Sequence, residues 1–522
     1  MPLSRPKLSG PVPLYDLLGQ VVRTQADELA LVAEEKSWTW RNLARDIDTL
    51  AAHLVAMELE KGDRVASLMP NCGELLVFYL ACLKAGLVVT PLNYRYTPPS
   101  IDFALGASGT RMLFVHNERS ADVAASELAG GLSRGLISVG GALSGSKCYE
   151  TLIETDAPKT DFPEPDLTAT AFIFFTSGST GTPKGVMHSI FSFGSVTASF
   201  AQAMCLTQAD VVFPGGSISH VGSLSTALAA LSIKAKVILA TGFDGDTVLP
   251  LLRRQRPTIL VALPAALIGM MHDRKTTRDD FSSLRLSISG GDKFPIDLEK
   301  AFVDLTGVEI TETYGLTEAT DCMIGRTNGE AKSGSVGQVC PGFSASIRDN
   351  SGQEVTEGNL WLAGDPLFLG YWSDPETTTQ SFSDGWFYTG DVMRVDSEGN
   401  FWFRGRTKQI IVHDGSNIAP QEVEEAVMLH PAVELAGVIG LYDARHGENV
   451  WAYVSLKDGA TAPPIQEIIE VARKQIGYKA PEVIIILNEI PLNASGKVDR
   501  VALKNFALTV SRDSLDQAFN SK

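Results

Sequence analysis

Residues 171–186 read AFIFFTSGSTGTPKGV and hold most of what a polyphosphate cradle needs. Gly178, Gly181 and Gly185 leave bare backbone that can approach a bulky anion. Thr176, Ser177, Ser179, Thr180 and Thr182 offer hydroxyls, and Lys184 offers a charge. The nucleotide loop of kinases and GTPases needs four residues between a glycine and Gly-Lys-Ser/Thr. Here Gly178 is followed by STGT and then Pro183-Lys184-Gly185, so that pattern fails at two positions. The local alternative is a serine-rich surface turn.

Further along, Ser287-Ile288-Ser289-Gly290-Gly291-Asp292 reads as a strand ending in a tight glycine turn, against which a flat base could slide. Residues 312–318, Glu312-Thr313-Tyr314-Gly315-Leu316-Thr317-Glu318, are expected on one short loop. It would carry a ring for stacking, a hydroxyl for a phosphate and a hard carboxylate ligand for Mg²⁺. A structural tyrosine with a helix-capping pair is the bland alternative. Asp391 follows a glycine and can accept both hydroxyls of a ribose, while Arg406 can reach the same sugar or its phosphate. A structural Asp391–Arg406 ion pair is equally compatible with the spacing. Lys497 lies in PLNASGKVDR, a glycine-flexible loop where a lone lysine is ordinarily a solvated charge.

These groups must be aimed by something rigid. Phe172 to Phe175 is an apolar run of buried-strand length ending at the hydroxyl-rich loop. Upstream, residues 14–61 suggest an amphipathic helix, a short strand pair and a second helix. A strand at 64–69, an apolar helix at 73–85 and a strand at 87–91 then form a βαβ unit. Strands at 111–115, 237–239, 258–261 and 284–289 alternate with helix-like segments, which predicts parallel sheets with crossover helices. After residue 336 short strands separated by Gly, Asp and Asn suggest an antiparallel β subdomain. Beyond residue 406 a strand, a helix from Pro420, a strand pair, a helix at 465–476 and a last strand at 482–487 suffice for a small α+β domain. The expected division is 1–407 and 408–522.

With 522 residues a large domain plus a smaller one is the default. The net charge of −17 argues against nucleic acid and anionic membrane as partners, so any anionic substrate must be held by local positive groups. The six cysteines show no CxxC or histidine spacing, which points away from zinc and from a disulfide framework. The N-terminal segment has no apolar core of signal-peptide length, and the longest uncharged run, 211–233, contains Pro214 and a Gly/Ser series unsuited to a membrane helix. A cytoplasmic protein without a membrane span is expected; a homodimer is allowed but not required.

Phosphate loop, YGLTE, WFYTGD, GRTK and NASGK occur in one order. In that succession the chain resembles the adenylate-forming superfamily of acyl-CoA synthetases, luciferases and peptide-synthetase adenylation domains, over residues 30–505, and most of all the acyl-CoA ligases. The resemblance implies an α/β fold: a large N-terminal domain of two αβ layers plus a β-barrel subdomain, and a small α+β C-terminal lid, with the active site between them. It implies an AMP-forming acid–thiol ligase using ATP, Mg²⁺ and coenzyme A on a small-molecule carboxylate, within fatty acid metabolism. Carried over by position, Thr176, Ser177, Gly178, Ser179, Thr180 and Lys184 would handle pyrophosphate. Gly290, Gly291, Asp292, Glu312, Thr313 and Tyr314 would frame the nucleotide, with Thr317 on the α-phosphate and Glu318 on Mg²⁺. Asp391 and Arg406 would hold ribose, Lys408 would be the hinge and Lys497 the catalytic lysine.

His220, in ISHVGSL, aligns with the segment carrying an acyl-pocket histidine, against the alternative of a merely buried histidine. No aspartate stands in that segment to meet a substrate ammonium, and Leu224 lies where some long-chain enzymes have a tryptophan, which suggests a neutral tunnel for an aliphatic or aryl acid. Three departures stand out: Ile190 where a histidine is usual, though His188 is close by, Asp292-Lys293 for a small residue and proline, and Asp414 for the first of two glycines of the pantetheine tunnel. The last leaves open an acyl-AMP ligase delivering to a carrier-protein thiol. A catalytically dead nucleotide-binding regulator is the non-enzyme alternative, and intact Lys184, Glu318, Asp391 and Lys497 count against it.

Overall fold

A computed structural model describes residues 3–4, 8–19, 21–176, 183–272, 275–291, 296–325, 332, 334–407, 409–413, 416–443, 446–493 and 496–509. The chain divides into two compact units. The first holds residues 1–346, 361–388 and 397–401; the second holds 347–360, 389–396 and 402–522.

Two sheets dominate the first unit. One has nine strands, in the order Gln338–Val339, Thr320–Ile324, Ile310–Leu316, Leu286–Gly290, Ile259–Ala262, Val211–Gly215, Lys236–Leu239, Leu29–Ala33 and Lys36–Thr39. The other has eight, in the order Gly370–Tyr371, Lys184–Ser189, Thr170–Thr176, Val88–Pro91, Arg64–Leu68, Met112–His116, Leu136–Val139 and Lys147–Cys148. Their central strands pair in parallel, Ser287 with Ile310 and Val65 with Val89 for example, and antiparallel strands close the edges. Near-continuous apolar strands such as Ile259–Ala262 and Met112–His116 require cover on both faces, and helices supply it. On one face Phe213, Leu260 and Ile310 meet Leu252, Leu267, Phe281 and Phe302. The helices Ile190–Ala203 and Val221–Ser232 are buried along almost their whole lengths, so neither has a polar face to show water. The first starts with a reciprocal cap in which Ser189 and Ser192 satisfy each other's backbone N–H groups.

The second unit holds a five-stranded sheet in which Val433–Asp443 and Gly447–Leu456 form a long antiparallel pair. The helix Ile465–Ile476 buries Ile468, Ile469 and Ala472 in the core with Val423, Val438 and Val450.

Two local expectations are corrected. The amphipathic helix expected from residue 14 is a single 3-10 turn, Leu14–Asp16, and a one-turn helix, Val22–Gln25, because Pro13 and Gly19 punctuate the stretch. Nor does the chain finish its regular structure in a strand. A helix, Arg500–Thr509, follows, started by Asp499, whose carboxylate accepts from the N–H groups of Val501 and Ala502 at 3.0 Å.

Candidate active site

The strands on either side of the phosphate-loop string pair with each other. Thr170–Thr176 runs antiparallel to Lys184–Ser189, and Thr176 stands directly opposite Lys184. Ser177, Gly178, Ser179 and Thr180 lie outside the described residues. Gly185 is closely packed, since an added methyl would lie 3.0 Å from Ile173 and 3.2 Å from Trp372. The Gly370–Tyr371 strand docks on the same hairpin, with Trp372 N donating to Gly185 O at 2.7 Å and Leu369 N to Met187 O at 2.8 Å.

That docking introduces Tyr371, which the motifs did not flag. Its ring lies 4.8 Å from Lys184 Nζ, and its hydroxyl donates to Glu318 Oε1 at 2.8 Å. Burial and the neighbouring Glu318 push the phenol pKa up, so it remains a proton donor to the carboxylate. Glu318 is held by its backbone as well, its carbonyl accepting from Phe368 N at 2.9 Å. One tyrosine thus joins the loop's lysine to the carboxylate of YGLTE. An apolar run ending in Gly-Tyr-Trp was the only available signal.

The 312–318 stretch is not one loop. Ile310–Leu316 is a strand, so Glu312, Thr313 and Tyr314 sit in the sheet and only Thr317 and Glu318 lie in the turn before Thr320–Ile324. β-Branched and aromatic residues, buried at Ile310, Thr311, Thr313 and Tyr314, prevail over the glycine. Strand pairing places Gly290 beside Thr313, where an added methyl would come within 2.3 Å of Thr313 Cγ2. Gly291 follows with φ +83°, in the left-handed region that other residues resist, and bends the chain at the strand's end. Asp292 lies outside the described residues.

The Thr317 turn is fastened from beneath by His188. The ring is fully buried, packed beside Phe174 and Phe193, and its Nε2 lies 2.8 Å from Thr317 O. A carbonyl can only accept, so Nε2 carries the proton and Nδ1 faces the Ser192 hydroxyl at 3.5 Å. Burial lowers the His188 pKa to about 4, which keeps the ring neutral.

The segment before Val221–Ser232 is clamped too. Asn71 donates to Gly216 O and accepts from Ile218 N, both at 2.8 Å, while the Tyr79 hydroxyl reaches Ser219 Oγ at 3.5 Å. His220 stands at the N-cap position without a side-chain capping bond and is exposed, which removes the buried-histidine alternative; its Nε2 lies 3.5 Å from Asn93 Nδ2.

In the second unit Asp391 is 1% exposed and receives Arg406 Nε at 3.1 Å, so the ion pair expected as one of two readings is formed. The Asp391 N–H donates to the Thr389 hydroxyl at 3.1 Å. Lys497 is exposed: Asn493 N donates to Lys497 O at 2.7 Å, Lys497 N to Asn493 Oδ1 at 3.1 Å, and Gly496 has φ +81°. Lys408 and Asp414 lie outside the described residues.

Among the described residues no three His, Cys, Asp or Glu side chains gather as a metal site. The donor set suits Mg²⁺ shared with phosphates, since one hard carboxylate, fixed by a phenol, is what that ion takes from a protein when a nucleotide supplies the rest. No described helix is long and apolar enough to cross a membrane.

The chain matches the AMP-binding enzyme family over residues 18–372 and the AMP-binding enzyme C-terminal domain over residues 422–497. It is 33% identical over 512 residues to the acyl-CoA ligase sidI of Aspergillus fumigatus, covering 91% of this chain and 87% of that protein. It is 32% identical over 475 residues to a feruloyl-CoA synthase of Amycolatopsis, covering 88% and 92% respectively. The ATP-bound crystal structure of MatB from Rhodopseudomonas palustris superposes with a TM-score of 0.88 at 27% identity, over 96% of this chain and 99% of that one. The chain belongs to the AMP-binding enzymes, with their large N-terminal and smaller C-terminal domains, and is an acid–thiol ligase of the AMP-forming, acyl-CoA synthetase kind.

Proposed function

We propose that the protein is an ATP-dependent carboxylic acid:CoA ligase. It acts through an acyl adenylate on a fatty or aryl carboxylate, releasing pyrophosphate and then AMP. The observation that carries this reading is the Lys184–Tyr371–Glu318 line, which sets a cation for the outer phosphates beside the carboxylate suited to their metal ion. Attack of a carboxylate on the α-phosphorus brings two anions together, so the work is alignment and charge neutralisation. Lys184 and the hydroxyls of the 176–180 loop hold the departing pyrophosphate. Mg²⁺ bound at Glu318 would neutralise phosphate charge. Thr317 touches the α-phosphate from a turn pinned by His188, and adenine is framed by Gly290, Gly291 and Tyr314. Asp391 and Arg406 take the ribose, exchanging part of their mutual pairing for it.

Lys497 offsets the charge gathering between substrate oxygen and α-phosphate. The thiol must later approach the same carbonyl, so the domain from residue 408 onward presents Lys497 for the first half-reaction and withdraws it for the second, turning about Lys408. The test is Lys497→Ala. Adenylation should fall by about 100-fold or more, while a supplied acyl adenylate is still converted to the thioester at near wild-type rate. Equal loss of both half-reactions in a folded variant would refute the assignment.

A further inference from the structure

Asp321 has no part in that chemistry, yet it faces the segment read as the acyl pocket. It lies three residues beyond Glu318, in the strand Thr320–Ile324, and faces the first turn of the helix Val221–Ser232: a methyl placed on Gly222 would stand 3.5 Å from Asp321 Oδ2. Gly222 lies two residues after His220 in the segment read as the acyl pocket, and having no side chain it sets only backbone against the carboxylate. The chain reaches Asp321 through a strained residue, since Thr320 is β-branched yet held at φ +49°, and its hydroxyl is buried with no hydrogen-bond partner. Backbone of that kind persists only where the surroundings demand it.

The carboxylate also lacks a dedicated donor. Among the described residues no Lys, Arg or His pairs with it, and the one side chain that reaches it is the Thr313 hydroxyl. That hydroxyl already donates at 2.6 Å to Met323 O, and a single proton cannot serve both acceptors. Burial raises the Asp321 pKa to about 6. A partly enclosed acceptor with neither cation nor committed donor is satisfied by a donor that arrives with the ligand.

Building on the ligase reading, we infer that Asp321 is a specificity-determining residue that selects acids whose acyl portion carries a hydrogen-bond donor, a hydroxyl or an amine, and rejects diacids. A plain alkyl or aryl group would cover the carboxylate without satisfying it, and a second carboxylate would meet like charge. An amino-bearing acid would gain an ion pair, a hydroxy acid a neutral-to-anion hydrogen bond.

The experiment is pyrophosphate release from the full chain with ATP, using straight acids of three to ten carbons and benzoate. Each is matched with its terminal or ring hydroxy, amino and carboxy derivative. The wild type should favour a hydroxy or amino member over its plain parent by about tenfold or more in kcat/KM, and turn over the diacid least. Asp321→Ala should bring that ratio to within about threefold, mainly by raising activity on the plain acid. Asp321→Asn, which can still accept from a hydroxyl but carries no charge, should retain the hydroxy preference and lose any amine preference. Preference for the plain parent in the wild type, or an unchanged ratio in Asp321→Ala, would overturn the inference while leaving the ligase reading intact. No pyrophosphate release with any acid from folded protein would overturn both.

Discussion

His188→Gln is the perturbation that most sharply separates the proposed support of the Thr317 turn from ordinary core packing. The Gln side-chain amide reaches about as far as imidazole Nε2 and can donate to Thr317 O, but it does not titrate. In the native chain the His188 pKa is depressed from 6.5 to about 4, with burial as the main cause. The unfolded chain therefore takes up the proton first as the solution is acidified. His188's contribution is complete above pH 6.5, falls between 6.5 and about 4, and stays lost below that. At about 1.4 kcal/mol per pH unit, lowering the pH from 7.5 to 5 removes about 2 kcal/mol from the wild type through this residue alone. His188→Gln should cost about 1–2 kcal/mol at pH 7.5, from imperfect packing against Phe174 and Phe193. By pH 5 that deficit should have vanished or reversed. Urea unfolding at the two pH values, with the transitions of the two units scored separately, measures the change. Titration of all other groups cancels in the difference between the proteins. Adenylation at pH 7.5 should survive in His188→Gln and drop in His188→Phe, which keeps the ring but leaves the Thr317 carbonyl unsatisfied. A stability gap of equal size at both pH values would refute the reasoning.

Three further outcomes follow from named contacts. Gly290→Ala forces a methyl to within 2.3 Å of Thr313 Cγ2, so it should cost about 1–3 kcal/mol of stability. It should also raise the KM for ATP more than it lowers kcat, as thermal melts and initial rates would show. Tyr371→Phe keeps the ring beside Lys184 but removes the donor to Glu318, and the Mg²⁺ concentration for half-maximal adenylation should rise about tenfold. Lys408→Pro, by fixing φ at the proposed hinge, should slow thioester formation from supplied acyl adenylate more than it slows adenylation.

The parallel strands and crossover helices could be read from apolar runs such as Phe172–Phe175 and Ile259–Ala262 because a strand buried on both faces shows itself in composition alone. The hairpin around the phosphate loop was less visible, since the partner strand, Lys184–Ser189, mixes a lysine, a glycine and a histidine. The 312–318 stretch misled in the opposite way. Its glycine and hydroxyls suggest a loop, whereas pairing on both sides, to Leu286–Gly290 and Thr320–Ile324, makes its first five residues a strand and leaves Thr317 and Glu318 in the turn. Tyr371 and Asp321, and the contact His188 makes although that histidine was visible beside Ile190, were beyond a linear reading for a common reason. Each acts through a partner more than fifty residues distant, as Tyr371 does on Glu318 and His188 on Thr317, or through the facing glycine of another element, as Asp321 does at Gly222. No local pattern encodes such pairings. The short strands and glycine turns between residues 343 and 406 blurred the division of the chain, for Asp391 and Arg406 fall in the second compact unit although they precede residue 408.

Quantifying pyrophosphate, AMP and thioester from the purified chain with ATP and a panel of carboxylic acids, with and without CoA, tests the central claim most directly. A ligase of this kind releases pyrophosphate only when an acid is present, and it completes turnover to AMP and thioester only when CoA is added. Acid-independent pyrophosphate release, or AMP formation that ignores CoA while another thiol or an amine accepts the acyl group, would contradict it.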